Sequence, residues 1–348
     1  MSAPKTQFVT SNALTRKRWA KDLFKIILPA VEFNYLLGSG SDAIIQMRTE
    51  LGKGEGDQIT FGIRLPLTGE GVIGNDTLEG NEEGLRFRDT SMTIEEVNHA
   101  VDTGGKMEEQ RIPYNLVQEG KAALQEWWSD RLSEYVINVV TGMSSWKWAG
   151  KTFAQANTEP TTYHHLKVND VAEASMTSAD VMDLSFLDRM KQRAEMMNKM
   201  ASNTYKVRPL VKGGKNYYRV ILHTYVFDAL RQNTNVAQWG DLLRQAGKLQ
   251  DPSVEIEYNG LMVSKSERIP SPAANVYRNV LLGAQAATFA WGGAGESKSS
   301  VMVFKPYTRD ADRFLMVRGG GILGCKKVVF DGHDYGAIVG SSYATALA

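Results

Sequence analysis

A single cysteine, Cys325, stands in 348 residues. An internal disulfide is thereby excluded, as are zinc-ribbon and redox-pair chemistries, and Cys325 reads as a small packed hydrophobe in a reducing compartment. Excess charge of either sign is also missing. Forty basic against 39 acidic residues leave a formal net charge of +1, too little for the whole-protein field that non-specific phosphate binding requires. Sequence-specific reading of nucleic acid is not expected. Long apolar runs are absent, so neither a signal peptide nor a membrane span is expected, and the chain reads as a cytosolic product. No repeat is visible, which disfavours solenoids, propellers and fibrous tail components. What is present is ordinary globular usage, 43% hydrophobic and 23% charged, at a length that can bury one large or two or three interlocked cores.

Catalytic signatures are equally scarce. Gly69, Gly71 and Gly74 spell G-x-G-x-x-G, but NDTLEGNEEG follows where a phosphate cradle needs a helix N-terminus, and its carboxylates would repel pyrophosphate. The stretch GGAGESKS at 292–299 approaches a P-loop, with Ser297 in place of the second glycine and no apolar helix after it. Both read as surface loops. His164 and His165 are adjacent, a poor spacing for converging on one metal, and read as loop histidines. His333 in FDGHDYG reads as part of a polar turn between strands, and His99 and His223 as core or boundary residues. No catalytic, metal or cofactor-binding residue is assigned.

Periodicity outlines an α+β chain. Residues 1–50 carry scattered apolar residues and the basic cluster Arg16, Lys17, Arg18, Lys21 and Lys25, expected as an arm with one or two short helices that can lie on an acidic neighbour. DQITFGIR at 57–64 alternates as a strand does, and a second alternating stretch begins at Leu85. The polar, glycine-rich segment between them is too long for a tight turn and is expected to project as the tip of a hairpin. That tip holds Glu70, Asp76, Glu79, Glu82 and Glu83, with no lysine or arginine from Val72 to Leu85, so it is expected to meet a basic or polar surface on another copy.

A long helix is expected over 114–140. Leu124, Trp128, Leu132, Tyr135, Val136 and Val139 form its core stripe, with Trp127, Trp146 and Trp148 widening the apolar cluster. A second helix is expected from Thr177, where TSAD resembles a capping box, running through Leu187, Met190, Ala194, Met197 and Met200. Further on, a hairpin turning at Gly213 and Gly214, short helices around Phe227, Leu230 and Trp239, and strands at 254–258 and 261–264 are expected. The last third reads as glycine-rich strands, the strongest being FLMVRGGGILGCKKVVF and DYGAIVGSSYA.

The stretches LTGEGVIGNDTLEGNEEGLRF and EEVNHAVDTGGKMEEQRIPYNLVQEGKAALQEWWSDRL resemble the major capsid proteins of the coliphage N-four branch of tailed bacteriophages. YYRVILHTYVFDALRQNT, VEIEYNGLMVSKSERIP and GGGILGCKKVVFDGHDYGAIVGSSYA continue the resemblance in order, from about residue 52 to the C-terminus. It implies the HK-ninety-seven-like (Johnson) capsid fold. The expected layout is an N-terminal arm at 1–50, an E-loop hairpin at 51–103, a peripheral domain at 104–176 and 322–348 with a spine helix at 114–140, and an axial domain at 177–321. The implied function is a non-enzymatic subunit that self-assembles as hexamers and pentamers into an icosahedral head around double-stranded DNA, in the host cytoplasm. Partners implied are further copies of the chain, a portal protein, a separate scaffolding protein and a decoration or cement protein, without membrane or cofactor. A nanocompartment shell of the same fold, or a nucleotide-binding enzyme, are the alternatives. Some shells of this fold are locked by an isopeptide bond from an E-loop lysine. Here no lysine lies between Lys53 and Lys106, so no such E-loop cross-link is expected, and denatured particles should show no covalent ladder on a gel.

Overall fold

The computed structural model describes residues 32–48, 57–64, 67, 71–75, 77–111, 116–153, 155–199, 205–233, 253–292 and 302–346. Strands run in chain order β1 (Leu37–Gly38), β2 (Ile45–Arg48), β3 (Gln58–Arg64), β4 (Phe87–Thr93), β5 (Glu95–Gly105), β6 (His165–Lys167), β7 (Leu210–Lys212), β8 (Lys215–His223) and β9 (Ile256–Tyr258). They continue as β10 (Leu261–Ser266), β11 (Val276–Leu282), β12 (Ala287–Gly292), β13 (Met302–Arg309), β14 (Phe314–Lys327), β15 (Val329–Phe330), β16 (His333–Asp334) and β17 (Ala337–Tyr343). The α-helices are α1 (Lys106–Arg111), α2 (Leu116–Val140), α3 (Leu184–Met196) and α4 (Thr224–Asn233).

Helix α2 lies on the first sheet, ordered β1-β2-β12-β14-β13 with β5 along the other side of β14. Leu124, Trp128, Leu132, Tyr135, Val136 and Val139 are all buried. From Tyr135 to Val140 the helix is buried on every side, so its polar side chains there must be satisfied internally. Ser133 Oγ donates to Ser129 O at 2.8 Å, Asn138 Nδ2 to Glu134 O at 2.7 Å and Thr141 Oγ1 to Ile137 O at 2.7 Å. Tyr135 Oη pins the helix to β14 by accepting the Cys325 N–H at 2.9 Å. The helix stops at Gly142, which takes φ +69; a Cβ there would meet Thr158 O at 2.6 Å, so only glycine closes this end without strain. Tyr135 stacked on Trp146 at 5.4 Å completes the core, and at its edge the half-buried Trp127 stacks at 4.2 Å on His99, which is exposed rather than the core or boundary residue expected from sequence.

The approach of α2 to β14 depends on the glycine run of that strand. A Cβ on Gly319 would lie 2.4 Å from the Phe304 ring and 3.1 Å from Trp128 Nε1. Here a missing side chain is what lets two large ones pack.

The second sheet is ordered β6-β17-β11-β8-β10-β9, with β7 beside β8. Met182, Phe186, Leu187, Met190 and Ala194 of the α3 region, and Val226 and Leu230 of α4, fill its core. β7 and β8 join through Gly213 and Gly214, both at positive φ, the two-residue turn whose twist suits a hairpin. Helix α3 begins later than TSAD indicates. Thr177 N–H donates to Asp180 Oδ2 at 2.8 Å, as in half a capping box, but Val181 then bridges to Tyr343 in extended form. The true cap is Asp183, whose carboxylate accepts the Phe186 N–H at 2.8 Å. Met200, Trp239 and the stretch at 293–299 lie outside the described residues.

A candidate assembly surface

Among the described residues, strands β3 and β4 pair only with each other, Gln58 opposite Thr93 through Arg64 opposite Phe87. A two-stranded ribbon has no interior, and over seven residues it reaches about 23 Å. Its root is held. Met92 and Thr90 are buried, Lys326 Nζ donates to Ser91 O at 2.5 Å, and Ile94 N–H donates to Asp57 O at 2.9 Å. Arg88 Nε donates to both Asp331 carboxylate oxygens at 2.7 and 2.9 Å, and Tyr205 Oη donates to the same carboxylate at 3.0 Å. The Arg88 hydrogen bond, opposed by partial desolvation and aided by Tyr205, holds the Asp331 carboxyl below its usual range. Beyond Arg88 toward the tip the ribbon stands in solvent: β4 turns from buried to exposed, and described residues 71–87 are exposed apart from a half-buried Glu83.

The tip stands exposed, as a polar, glycine-rich segment should, and it also carries apolar side chains that its polar reading leaves out. Among the described residues, six of the thirteen exposed large apolar side chains are Leu67, Val72, Ile73, Leu78, Leu85 and Phe87, with Ile73 at 86% exposure. From Leu67 to Leu78 they are irregularly placed among glycines and acids, with no period of 2 or 3.6, which is why pattern reading passes over them; only Leu85 and Phe87 fall on the alternation of β4. Of the acids, Glu79 is exposed, Glu82 Oε2 accepts the Gly80 N–H at 2.8 Å, and Glu83 pairs with Arg86 at 3.5 Å. Part of the acidic charge is thus used inside the loop. Glu70 and Asp76, and the arm residues Arg16, Lys17, Arg18, Lys21 and Lys25, lie outside the described residues.

The remaining sequence candidates resolve differently. Gly71 and Gly74 sit at positive φ in the exposed loop, with no helix after them. His164, read from sequence as a loop histidine, ends a short 3-10 turn and is fully buried, its Nδ1 2.8 Å from Thr161 Oγ1, and burial, with Lys327 and His333 nearby, pushes its pKa down to about 3. His165 Nε2 lies 2.8 Å from Ser341 Oγ and 3.2 Å from Glu173, well inside the fold. His333 follows Asp331 and Gly332, both at positive φ, in the tight β15–β16 turn. No group of three metal-ligating side chains occurs among the described residues, and no helix there is long and apolar enough to cross a membrane.

Two sheets, a helix buried against the first of them and a ribbon without a core of its own make up the described fold, the build of a structural protein rather than of a catalytic cleft. Comparison with known proteins agrees: the family model described as phage capsid protein matches residues 7–255, and the chain belongs to that family of structural proteins. The major capsid protein of Pseudomonas phage KPP25 is 26% identical over 217 residues, 59% of this chain and 58% of that relative, so the match spans less than two thirds of the relative's length. Among solved structures, the capsid of Ralstonia phage GP4 aligns with a TM-score of 0.79 at 23% identity, covering 89% of this chain and 90% of that one. The capsid of cyanophage Pam1 aligns at 0.71 and 16% identity, covering 92% and 94%. The capsid of Helicobacter pylori bacteriophage KHP30 aligns at 0.66 and 15%, covering 90% of each. The mixed α/β fold is that of phage capsids.

Proposed function

We propose that this chain is the major capsid subunit of a tailed phage of the coliphage N-four-like branch, with the HK-ninety-seven-like plan. It self-associates as hexamers and pentamers into an icosahedral head that encloses double-stranded DNA. The β3–β4 ribbon is the E-loop; with borders that differ from the 104–176 plus 322–348 and 177–321 expected from sequence, the part built around α2 and the first sheet, β12 and β13 included, is peripheral, and the second sheet, β6 and β17 included, is axial. A portal, a scaffolding protein and a decoration protein are its further partners, and shells form in the host cytoplasm.

The carrying observation is the apolar side chains on a ribbon that has no core to bury them. Full burial of one Leu, Ile, Val or Phe side chain stabilises by about 1.5–3 kcal/mol. A few such contacts per subunit, repeated around a closed symmetry, give a stable particle while each contact alone stays reversible. The neighbouring acids contribute about 0–1 kcal/mol each where exposed, and set register more than strength.

The test is a triple substitution at the tip, Ile73→Ser, Leu78→Ser and Leu85→Ser. These side chains make no core, so circular dichroism should be unchanged while sedimentation and electron microscopy show shells lost in favour of small oligomers. Shells of unaltered yield would overturn the proposal.

A further inference from the structure

Lys327 ends β14 and Asp334 ends β16, with the β15–β16 hairpin folded between them so that Val329 faces Asp334 and Phe330 faces His333. Lys327 Nζ lies 2.9 Å from Asp334 Oδ2, and the two side chains are 1% and 0% exposed. We propose that Lys327 and Asp334 condense into an intramolecular isopeptide bond that closes the chain across this hairpin.

As an ion pair the arrangement is poorly satisfied. The ammonium has three donors, and its only hydrogen-bond partner among the described residues is Asp334. Asp334 Oδ1 is buried without a hydrogen-bond partner, while Oδ2 also accepts the Thr161 N–H at 3.3 Å. Paired charges out of water are favoured only when their remaining donors and acceptors are met. A neutral amide removes both charges from the pocket. The environment already leans that way: burial, against the attraction between the partners, pulls the Lys327 pKa down and pushes that of Asp334 up, toward amine and carboxylic acid. His164, tied to the same site through the Thr161 hydroxyl, is neutral and adds no third charge.

The chemistry needs no co-reactant. A nitrogen at hydrogen-bond distance from a carboxyl oxygen stands about 3–3.5 Å from its carbon, the separation of a near-attack pair. One proton passes from the ammonium to the carboxylate, and the freed amine lone pair attacks Cγ. The Thr161 N–H steadies the charge that develops on Oδ2. A second proton moves from nitrogen to the unpartnered oxygen, the Cγ–Oδ1 bond breaks and water departs, leaving a secondary amide between Nζ and Cγ. Exclusion of bulk water opposes the reverse hydrolysis.

The test is peptide mapping of the full chain, folded and then denatured. The expected product is a branched peptide joining Lys327 to Asp334, lighter than the sequence by one water, with no tryptic cleavage after Lys327. Asp331-Gly332 can also lose water, as a succinimide, so alkaline hydroxylamine is applied: the isopeptide survives and the succinimide does not. Lys327→Arg should abolish the branch, and Asp334→Asn should form it with loss of ammonia instead. A wild-type peptide of unmodified mass cleaved normally after Lys327, or a water loss that maps to Asp331, would overturn the proposal without reference to how either variant folds.

Discussion

Replacing Arg278 by methionine leaves two carboxylates facing an empty place in the fold. Arg278, on β11, is 7% exposed and meets Glu173 with a planar fork, Nε to Oε1 and Nη2 to Oε2, both at 2.8 Å. Its Nη1 donates to Glu159 Oε2 at 2.6 Å and to the Gly142 carbonyl at 2.9 Å, so one side chain ties the end of α2 to the second sheet. Burial works against the Glu173 charge, yet the hydrogen bonds from Arg278, His165 and Ser341 outweigh it and hold that carboxyl well below its usual range. Breaking a buried pair by removing one partner costs about 3–5 kcal/mol. For a chain of this size that corresponds to a fall in Tm of about 4–7 °C. A depressed carboxyl contributes stability that is present above its unfolded pKa of about 4.3 and is lost as pH falls through the lower folded value. The gap between parent and variant should therefore be constant from neutral pH to about pH 5, closing only in stronger acid. Differential scanning calorimetry across that range is the assay, with Arg278→Met/Glu173→Gln expected to recover part of the loss. An unchanged Tm for Arg278→Met, or a gap that already closes near neutrality, would refute the reasoning.

Two further outcomes are expected. Gly319→Ala forces a Cβ to 2.4 Å from the Phe304 ring and should cost about 1–3 kcal/mol by overpacking, read as a lower urea midpoint, whereas Gly84→Ala, whose Cβ would meet nothing within 4 Å, should leave it unchanged; equal midpoints would contradict the packing argument. Cys325 is buried and its thiol is pushed up by desolvation, so a thiol reagent should react only as the protein unfolds, and rapid native labelling would count against the burial.

Local pattern made some elements legible and hid others for identifiable reasons. Strand β3 alternates cleanly, and the α2 stripe is apolar enough to mark both the helix and its buried face. Strand β5 passes unnoticed because EEVNHAVDTGG has little apolar alternation; it is a strand because β14 pairs with it from Glu95 to Gly105. TSAD carries a capping signature, but the chain it would cap is recruited to Tyr343 and the helix waits for Asp183. The buried charges are the least readable. Arg278 gathers partners 105 and 119 residues away, and Lys327 and Asp334 meet only because β14 and β16 fold them into one pocket closed by Thr161. At the hairpin, its strands and projection follow from alternation and loop length, while the side chains that equip it for contact are too irregularly spaced to be seen before the ribbon is found to have no core.

On the function proposed above, the β3–β4 ribbon gains its order from another copy of the chain. Electron microscopy of the purified protein, at a resolution that traces residues 71–87, tests it most directly. Closed shells in which Ile73, Leu78 and Leu85 are covered by a neighbouring subunit are expected; non-associating protein, or shells in which these side chains remain in solvent or fold onto their own body, would contradict it.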